Sequence, residues 1–453
     1  MKRYSLHLAI SMRRYFPHLM ICSILFPIQV AIAGTVIYQG ATVHTMGPAG
    51  TLENATIVIR DGRFAAVGVG IEIPPAAKNG PDDSHVIDAS GKIITPGFFS
   101  AMGQLGLTEV SGVDGTVDFF QTGERFSAGF DIAEAYNHRS TLIAINRAGG
   151  ITRALTAPSP GYPGDGVISQ LFSGLAAVVQ LGDRPDFIAD KQAAMVVSLG
   201  EGGSAVAGGS RAAAMLALRS GLDDAVDYRS NKGSYQRGER REYSLSMADV
   251  EALQPVLAGR TPLLAHVNRA SDIEALLRLA ADYRVMLIIY GGAEAWMVAD
   301  ALAAARVPVI LDSTSNLPSS FDALNARLEA PAILVAAGVE ISFGANWQSE
   351  TYVARNIAQS AGNAVANGLP WIEGLKAITL SPARMYHVDD QYGSIEAGKE
   401  ADLIVWSADP LELTSNPEQV MIRGDLVSLE NRQTLLRDRY MQSDSALPPA
   451  WRQ

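Results

Sequence analysis

Short runs of apolar and β-branched residues lie near both ends of the chain, and Ala-rich patterns fill its middle. Residues 35–38 and 42–46 read as strands separated by a glycine-containing break. Residues 55–60, the dipeptide Asp61-Gly62 and residues 64–68 predict a hairpin, because Asp-Gly supplies the left-handed backbone pair that a tight turn between twisted strands needs. Residues 402–406 and 419–427 have the same texture. The two ends are therefore expected to build one small β-sandwich domain from residues 34–94 and 391–435, with 436–453 as a C-terminal tail.

Residues 95–390 follow a different period. Apolar strands at 262–266, 286–290, 307–312 and 339–344 alternate with helical patterns at 271–284, 293–305, 325–337 and 349–367. Ser271 is the expected N-cap of the first of these helices, with Glu274 three residues on. Four strand–helix units in succession point to an α/β fold with a parallel sheet under helices, and a TIM-like (β/α)8 barrel accommodates the length. An open doubly wound sheet is the alternative; no strand–Gly-x-Gly-x-x-Gly–helix unit supports it. The Gly- and Ser-rich stretches 159–166 and 200–210 and the polar run 229–242 are expected loops, and His138 falls in a helical pattern.

Residues 1–33 stand apart. Lys2, Arg3, Arg13 and Arg14, with no acid, precede an apolar run that ends in Ala31-Ile32-Ala33 before Gly34. A basic start, a short apolar centre and a small-residue end form the pattern of a secretory signal peptide. The run is short for a membrane span and is broken by Pro27, so an exported protein, periplasmic or secreted, is expected. Cleavage would remove Cys22, the single cysteine, together with His7 and His18. It would leave five histidines: His44, His85, His138, His266 and His387. Loss of four basic residues would take the net charge from −11 to −15, which argues against nucleic acid or anionic membrane as a partner. A 48% hydrophobic composition excludes a disordered chain, and one cysteine excludes a disulfide framework or a multi-cysteine metal site.

A set of segments in order carries a family resemblance. Residues 54–63 contain the hairpin above. Residues 86–98 run through Asp88-Ala89-Ser90-Gly91 to Pro96-Gly97-Phe98. Residues 377–384 contain Ser381-Pro382-Ala383-Arg384, and residues 393–406 contain Gly398-Lys399-Glu400-Ala401-Asp402-Leu403. On these segments the chain resembles the amidohydrolase superfamily, most closely its imidazolonepropionase-like members. The resemblance implies a (β/α)8 barrel over 95–390 with a β domain built from both chain ends. It also implies hydrolysis of C–N bonds at one or two divalent metals held by strand C-terminal ends, where the metal makes hydroxide from bound water.

The same resemblance locates the metal ligands, and here the chain departs from the family. Strand one should end in Asp-x-His-x-His; Ser100, Met102 and Gln104 stand at those positions. Strand eight should end in an Asp that acts as general base; Asn346 stands there and has no carboxylate. Strand six offers Tyr290 or Gly291 in place of a histidine, and the strand-four bridging position offers only Glu201. Strand five keeps its imidazole, His266. A thioether and a carboxamide do not replace two imidazoles on zinc. No cofactor is therefore expected, with zinc implied only if the family chemistry persists.

The strand-end residues Gln104, His266, Asn268, Tyr290, Asp312 and Asn346 form the candidate pocket for a small-molecule ligand. Asp312, closing strand seven, either acts with His266 as a metal-free acid or base or bonds a neighbouring loop. The expected function is a hydrolase acting on non-peptide C–N bonds whose metal ligands are replaced. The alternative is a non-catalytic small-ligand-binding protein, or a partner subunit of an active amidohydrolase paralogue.

Overall fold

The computed structural model describes residues 34–72, 85–110, 112–121, 127–160, 171–311, 318, 320–344 and 353–441. Among them no helix is long and apolar enough to cross a membrane. Both chain ends meet in one mixed sheet. From the N-terminal side come β1 (Val36–His44), β2 (Thr51–Arg60), β3 (Arg63–Val69), β4 (His85–Asp88) and β5 (Ile93–Pro96). The barrel strands follow: β6 (Phe98–Ser100), β7 (Ile151–Thr156), β8 (Phe172–Gln180), β9 (Ile188–Ser198), β10 (Leu263–Val267), β11 (Leu287–Gly291), β12 (Val309–Leu311) and β13 (Ile341–Phe343). The chain then returns to the first sheet with β14 (Leu403–Trp406), β15 (Pro417–Ile422) and β16 (Asp425–Leu426).

The first sheet has the order β16-β15-β14-β5-β1-β2-β3, with β4 also paired to β1. The expected hairpin is β2–β3. Arg60 faces Arg63 across Asp61 and Gly62, whose φ values of 53° and 76° give the twisted turn that Asp-Gly favours. The two expected strands at 35–38 and 42–46 are one strand, β1, with its register shifted between Gln39 and Ala41. The ends are joined by the antiparallel β5–β14 ladder, in which Thr95 faces Ile404. There the Trp406 indole N–H donates to Thr95 Oγ1 at 2.9 Å.

The second sheet runs β13-β12-β11-β10-β9-β8-β7-β6. The Ala101 N–H, donating to the Phe343 carbonyl at 3.2 Å, draws its two ends together, so the eight strands form a nearly closed barrel. One strand departs from a regular (β/α)8 pattern: β8 is antiparallel to both β7 and β9, because it follows β7 without a crossover helix among the described residues. The strands are buried on both faces, as parallel barrel strands must be. Leu264, Ile288, Tyr290 and Ile310 point into a core inside the barrel. Leu263, Ala265, Ile289 and Val309 point out into a larger core beneath the helices. Every second residue changes core, which is the period of a pleated strand.

Helix Ala270–Tyr283 buries Ile273, Leu276, Leu279 and Ala280 on one stripe. Its cap differs from expectation. Arg269, not Ser271, is the N-cap residue, and it provides no side-chain cap. The Ala270 N–H instead donates to Glu294 Oε2 at 3.0 Å, so a carboxylate from the next βα unit satisfies the helix start. Residues 200–206 are not a loop but a helix, Gly200–Val206; after a turn at 207–210 a second helix, Arg211–Gln236, runs through the first half of the polar run, bending at Asn231. Tertiary partners override the weak local propensity. The Tyr228 hydroxyl donates to Glu251 Oε1 at 2.7 Å, Lys232 Nζ to the same oxygen at 2.8 Å, and Tyr235 stacks on Tyr243 at 4.1 Å. His138 lies in a turn after the short helix Ile132–Ala135 and stacks on Phe187 at 3.9 Å.

Barrel and terminal sheet are locked by one buried cation. Arg153 on β7 is 2% exposed; its Nε donates to Asp402 Oδ2 at 2.7 Å and its Nη2 to Glu400 Oε2 at 2.9 Å. Replacing it with Met leaves two carboxylates buried without their cation, so a loss of about 3–5 kcal/mol is expected. Denaturant unfolding of Arg153→Met measures it; a loss near zero shows that the acids find another partner.

Candidate functional site

The strand C-terminal ends place the expected site residues unequally. After β6, Met102 and Gln104 are both buried, 2% and 3% exposed. Met102 belongs to the apolar core inside the barrel, together with Phe99, Tyr290 and Tyr386. The chain around it is held by backbone and hydroxyl contacts. Ser100 Oγ donates to the Met102 carbonyl at 3.2 Å, Tyr386 OH to the Ala101 carbonyl at 2.6 Å, and the Ala157 N–H to the Gly103 carbonyl at 2.9 Å. Gly344, at the exit of β13, presses on the same point; a Cβ there would lie 2.9 Å from Met102 Cβ. The position that holds an imidazole in the resembled family is thus filled by a packed thioether.

His266, Asn268 and Tyr290 do converge. His266 pairs in register with Ser198 on one side and Tyr290 on the other, and its ring lies 5.4 Å from the Tyr290 ring. The point where a Cβ on Gly291 would sit is 2.6 Å from Asn268 Oδ1 and 3.4 Å from His266 Cδ2. Asn268 has a structural task as well: its Oδ1 accepts the Ala293 N–H at 3.3 Å and its carbonyl accepts the Glu294 N–H at 2.9 Å, which fixes the turn after β11. Asp312 and Asn346 lie outside the described residues.

Burial lowers the His266 imidazole to about 4, against a smaller opposing pull from Asp322. A neutral ring at ordinary pH offers one N–H donor and one acceptor nitrogen. Asp322 was not singled out by the sequence reading, and neither was the network that holds it. It sits in the short helix Phe321–Ala323, 3% exposed, and accepts the Glu201 N–H at 2.5 Å and a hydrogen bond from Arg211. Arg211 Nε also reaches Asp272 Oδ2 at 3.1 Å. Hydrogen bonding to Asp322 raises the Arg211 guanidinium further, so this cation stays charged at any ordinary pH. Glu201 itself is exposed, in the first turn of helix Gly200–Val206, where its backbone rather than its carboxylate does the binding. The only sequence signal for this network was the Ser210-Arg211 helix start, inside a stretch that reads as a loop.

The donor set does not suit the metal that the fold implies. Among the described residues no group of three or more His, Cys, Asp or Glu side chains could hold a metal ion. By the resemblance, Met102, Gln104 and Tyr290 stand at positions where imidazoles are expected, and zinc sites of this type need at least three strong N, O or S ligands. What the described residues present is a neutral imidazole beside a phenol and an amide side chain, over an apolar floor. That set can hydrogen-bond an uncharged polar group from both donor and acceptor sides.

Two outcomes are expected. The folded His266 value near 4 lies below its ordinary 6.5, so the unfolded chain takes up the proton first. This contribution to stability is whole above pH 6.5 and is lost as pH falls towards 4. His266→Gln should flatten that part of a stability–pH profile measured by denaturant unfolding; an unchanged slope would show a solvated ring. Gly200 has φ +62°, and a Cβ there would lie 2.6 Å from Asp322 Oδ2. Gly200→Ala is therefore expected to cost about 1–3 kcal/mol and to loosen the Asp322 contact. A variant as stable as the parent by thermal unfolding would contradict this.

The comparisons with known proteins agree with this architecture. The family model described as the amidohydrolase family matches residues 261–427, from β10 to the turn after β16. An amidohydrolase, tasK, of Hapsidospora irregularis is 22% identical over 369 residues; the match covers 76% of this chain but spans only 37% of that protein's length. A solved amidohydrolase from Thermotoga maritima superposes with a TM-score of 0.75 at 24% identity, covering 87% of this chain and 99% of that one. Molinate hydrolase superposes with a TM-score of 0.53 at 16% identity, covering 88% and 95%. With a nearly closed barrel, a sheet made from both chain ends and a partial family match through the strands that carry His266 and Tyr290, the chain has the amidohydrolase fold and is similar to that family over residues 261–427.

Proposed function

We propose that this protein takes a small non-peptide molecule with a C–N bond, such as a cyclic amide, into the barrel mouth, and that the family's zinc-activated water plays no part there. The observation that carries the reading is Met102, packed into the barrel core where a metal-binding imidazole would stand. His266, Asn268 and Tyr290 are the recognition groups, with Gln104 from the β6 exit. The neutral imidazole supplies a donor and an acceptor suited to an amide N–C=O edge, and the apolar floor favours an uncharged ligand. Hydrolysis of that C–N bond, if this chain performs it, would draw on these groups and on Asp312 and Asn346. The basic, apolar and small-residue order of residues 1–33 supports an exported protein.

A second reading, a partner subunit of an active paralogue, is favoured by the exposed apolar side chains on the loops after β11 and β12. Phe321 is 81% exposed, Leu324 58% and Met297 51%. Surfaces of this kind often mark contacts with another protein.

Metal analysis of the purified protein, paired with calorimetric titration of cyclic amides, dipeptides and lactams, separates these readings. The expected result is far less than one zinc per chain, ligand binding that survives a chelator, and roughly tenfold weaker binding in His266→Ala, a change of about 1.4 kcal/mol. About one zinc per chain, removed by chelator with loss of hydrolysis, would sink the proposal. Ligand binding seen only after co-purification with a His-x-His-bearing homologue would favour the second reading.

A further inference from the structure

An opening in the barrel domain lies at the end opposite the mouth. It is a cleft of about 720 Å³ lined by residues that lead into β10–β13: Pro262, Met286, Pro308 and Glu340 each immediately precede a strand or stand one residue from it. Leu277, Leu302, Val339 and Met385 supply apolar walls. Its volume falls in the range of small-molecule sites, about 300–1,000 Å³. This end of a barrel ordinarily serves stability and is closed by packing. Here it stays open around a carboxylate.

Glu340 is the informative group. Its side chain is 32% exposed and interacts with the Ser381 hydroxyl, while its Oε1 is buried with no hydrogen-bond partner among the described residues. The nearest cation, Arg384 Nη1, stands off at 3.7 Å, beyond hydrogen-bond range. Burial pushes the Glu340 carboxyl up from its ordinary range, against the opposing charges of Arg384 and Lys376. A buried acceptor left unmade is destabilising, and a Leu or Val at this position would avoid that cost. An acceptor and a donor therefore sit side by side at the wall of an apolar cleft, each without a close partner in the other.

That pair matches a particular chemistry. A primary amide or a lactam presents an N–H and a C=O on one edge; the N–H can donate to Glu340 while the C=O accepts from Arg384. A cationic amine would face Arg384 and Arg306 at the rim, and a carboxylate would face Glu340, so both charged classes meet a like charge. We propose that this cleft is a second small-molecule site, separate from the mouth, for an uncharged apolar compound bearing a primary amide or lactam edge, read by Glu340 and Arg384. The assignment does not depend on what the mouth binds.

The test is calorimetric titration of the full chain with benzamide and ε-caprolactam, with benzoate and benzylammonium as charged controls. Saturable binding of the amides is expected, at least tenfold tighter than either control. A saturable phase should persist in His266→Ala, where the mouth is weakened, and in that background it should be weakened at least tenfold by Glu340→Leu and by Arg384→Ala. Arg384 is 45% exposed at its side chain, so its variant keeps the test open if Glu340→Leu misfolds. Absence of saturable amide binding up to the solubility limit overturns the proposal. So does equal or tighter binding of benzoate or benzylammonium, or amide binding that is lost in His266→Ala and kept in Arg384→Ala.

Discussion

The guanidinium of Arg153 is the contact on which the two-part architecture rests. It is buried on β7 at the lower end of the barrel, bonded to Asp402 and Glu400, and lies over the Tyr392 ring at 3.8 Å. The two acids belong to the Glu400-Ala401-Asp402 segment that opens β14, so one side chain ties the barrel to the returning C-terminal strand. The acids are shared further. Asp402 Oδ1 accepts the Arg423 N–H at 2.8 Å, and Glu400 also faces Arg423 and Arg63. A buried ion pair of this kind gives little net stability over an apolar substitute, because desolvation offsets the attraction. Its effect is on geometry: only one placement of the terminal sheet satisfies all of these charges together.

With that end fixed, the barrel presents its other end as a mouth. Metal hydrolysis depends on several ligands converging with fixed geometry. In this chain the β6 exit gives its space to packing, through Met102 and the closing contact between Ala101 and Phe343. The charged groups near His266 are engaged with each other. Arg211 bridges Asp322 and Asp272, and Asp322 also caps the helix that begins at Gly200. The imidazole is left neutral by burial, next to a phenol. Among the described residues, these contacts leave hydrogen-bonding groups and an apolar surface at the mouth, and no cluster of metal-binding side chains.

Much of the framework was legible from short-range pattern. The Asp61-Gly62 turn, the strand–helix alternation from β10 onward and the shared texture of the two chain ends all follow from local periods and turn chemistry. The helix over 200–206 was not legible, because its start depends on a carboxylate 121 residues away rather than on its own glycine-rich sequence. The cap of helix Ala270–Tyr283 was misplaced for a similar reason: Glu294, from the next unit, does the capping that Ser271 was expected to do. The antiparallel course of β8 was also hidden, since a buried strand has the same apolar composition whichever way it runs.

By itself, the sequence determined which residue types stand at the strand ends. By the resemblance, Met102, Gln104 and either Tyr290 or Gly291 stand where imidazoles are expected, with His266 kept. Only the tertiary structure decided what those residues do. Whether Met102 points to solvent or fills the core, whether His266 is charged or neutral, and which carboxylates are already paired depend on burial and on partners far apart in the chain. The same holds for Glu340, an ordinary acid in sequence. The surroundings of its buried oxygen exist only because the segments leading into β10–β13 and three helices meet there and leave an opening.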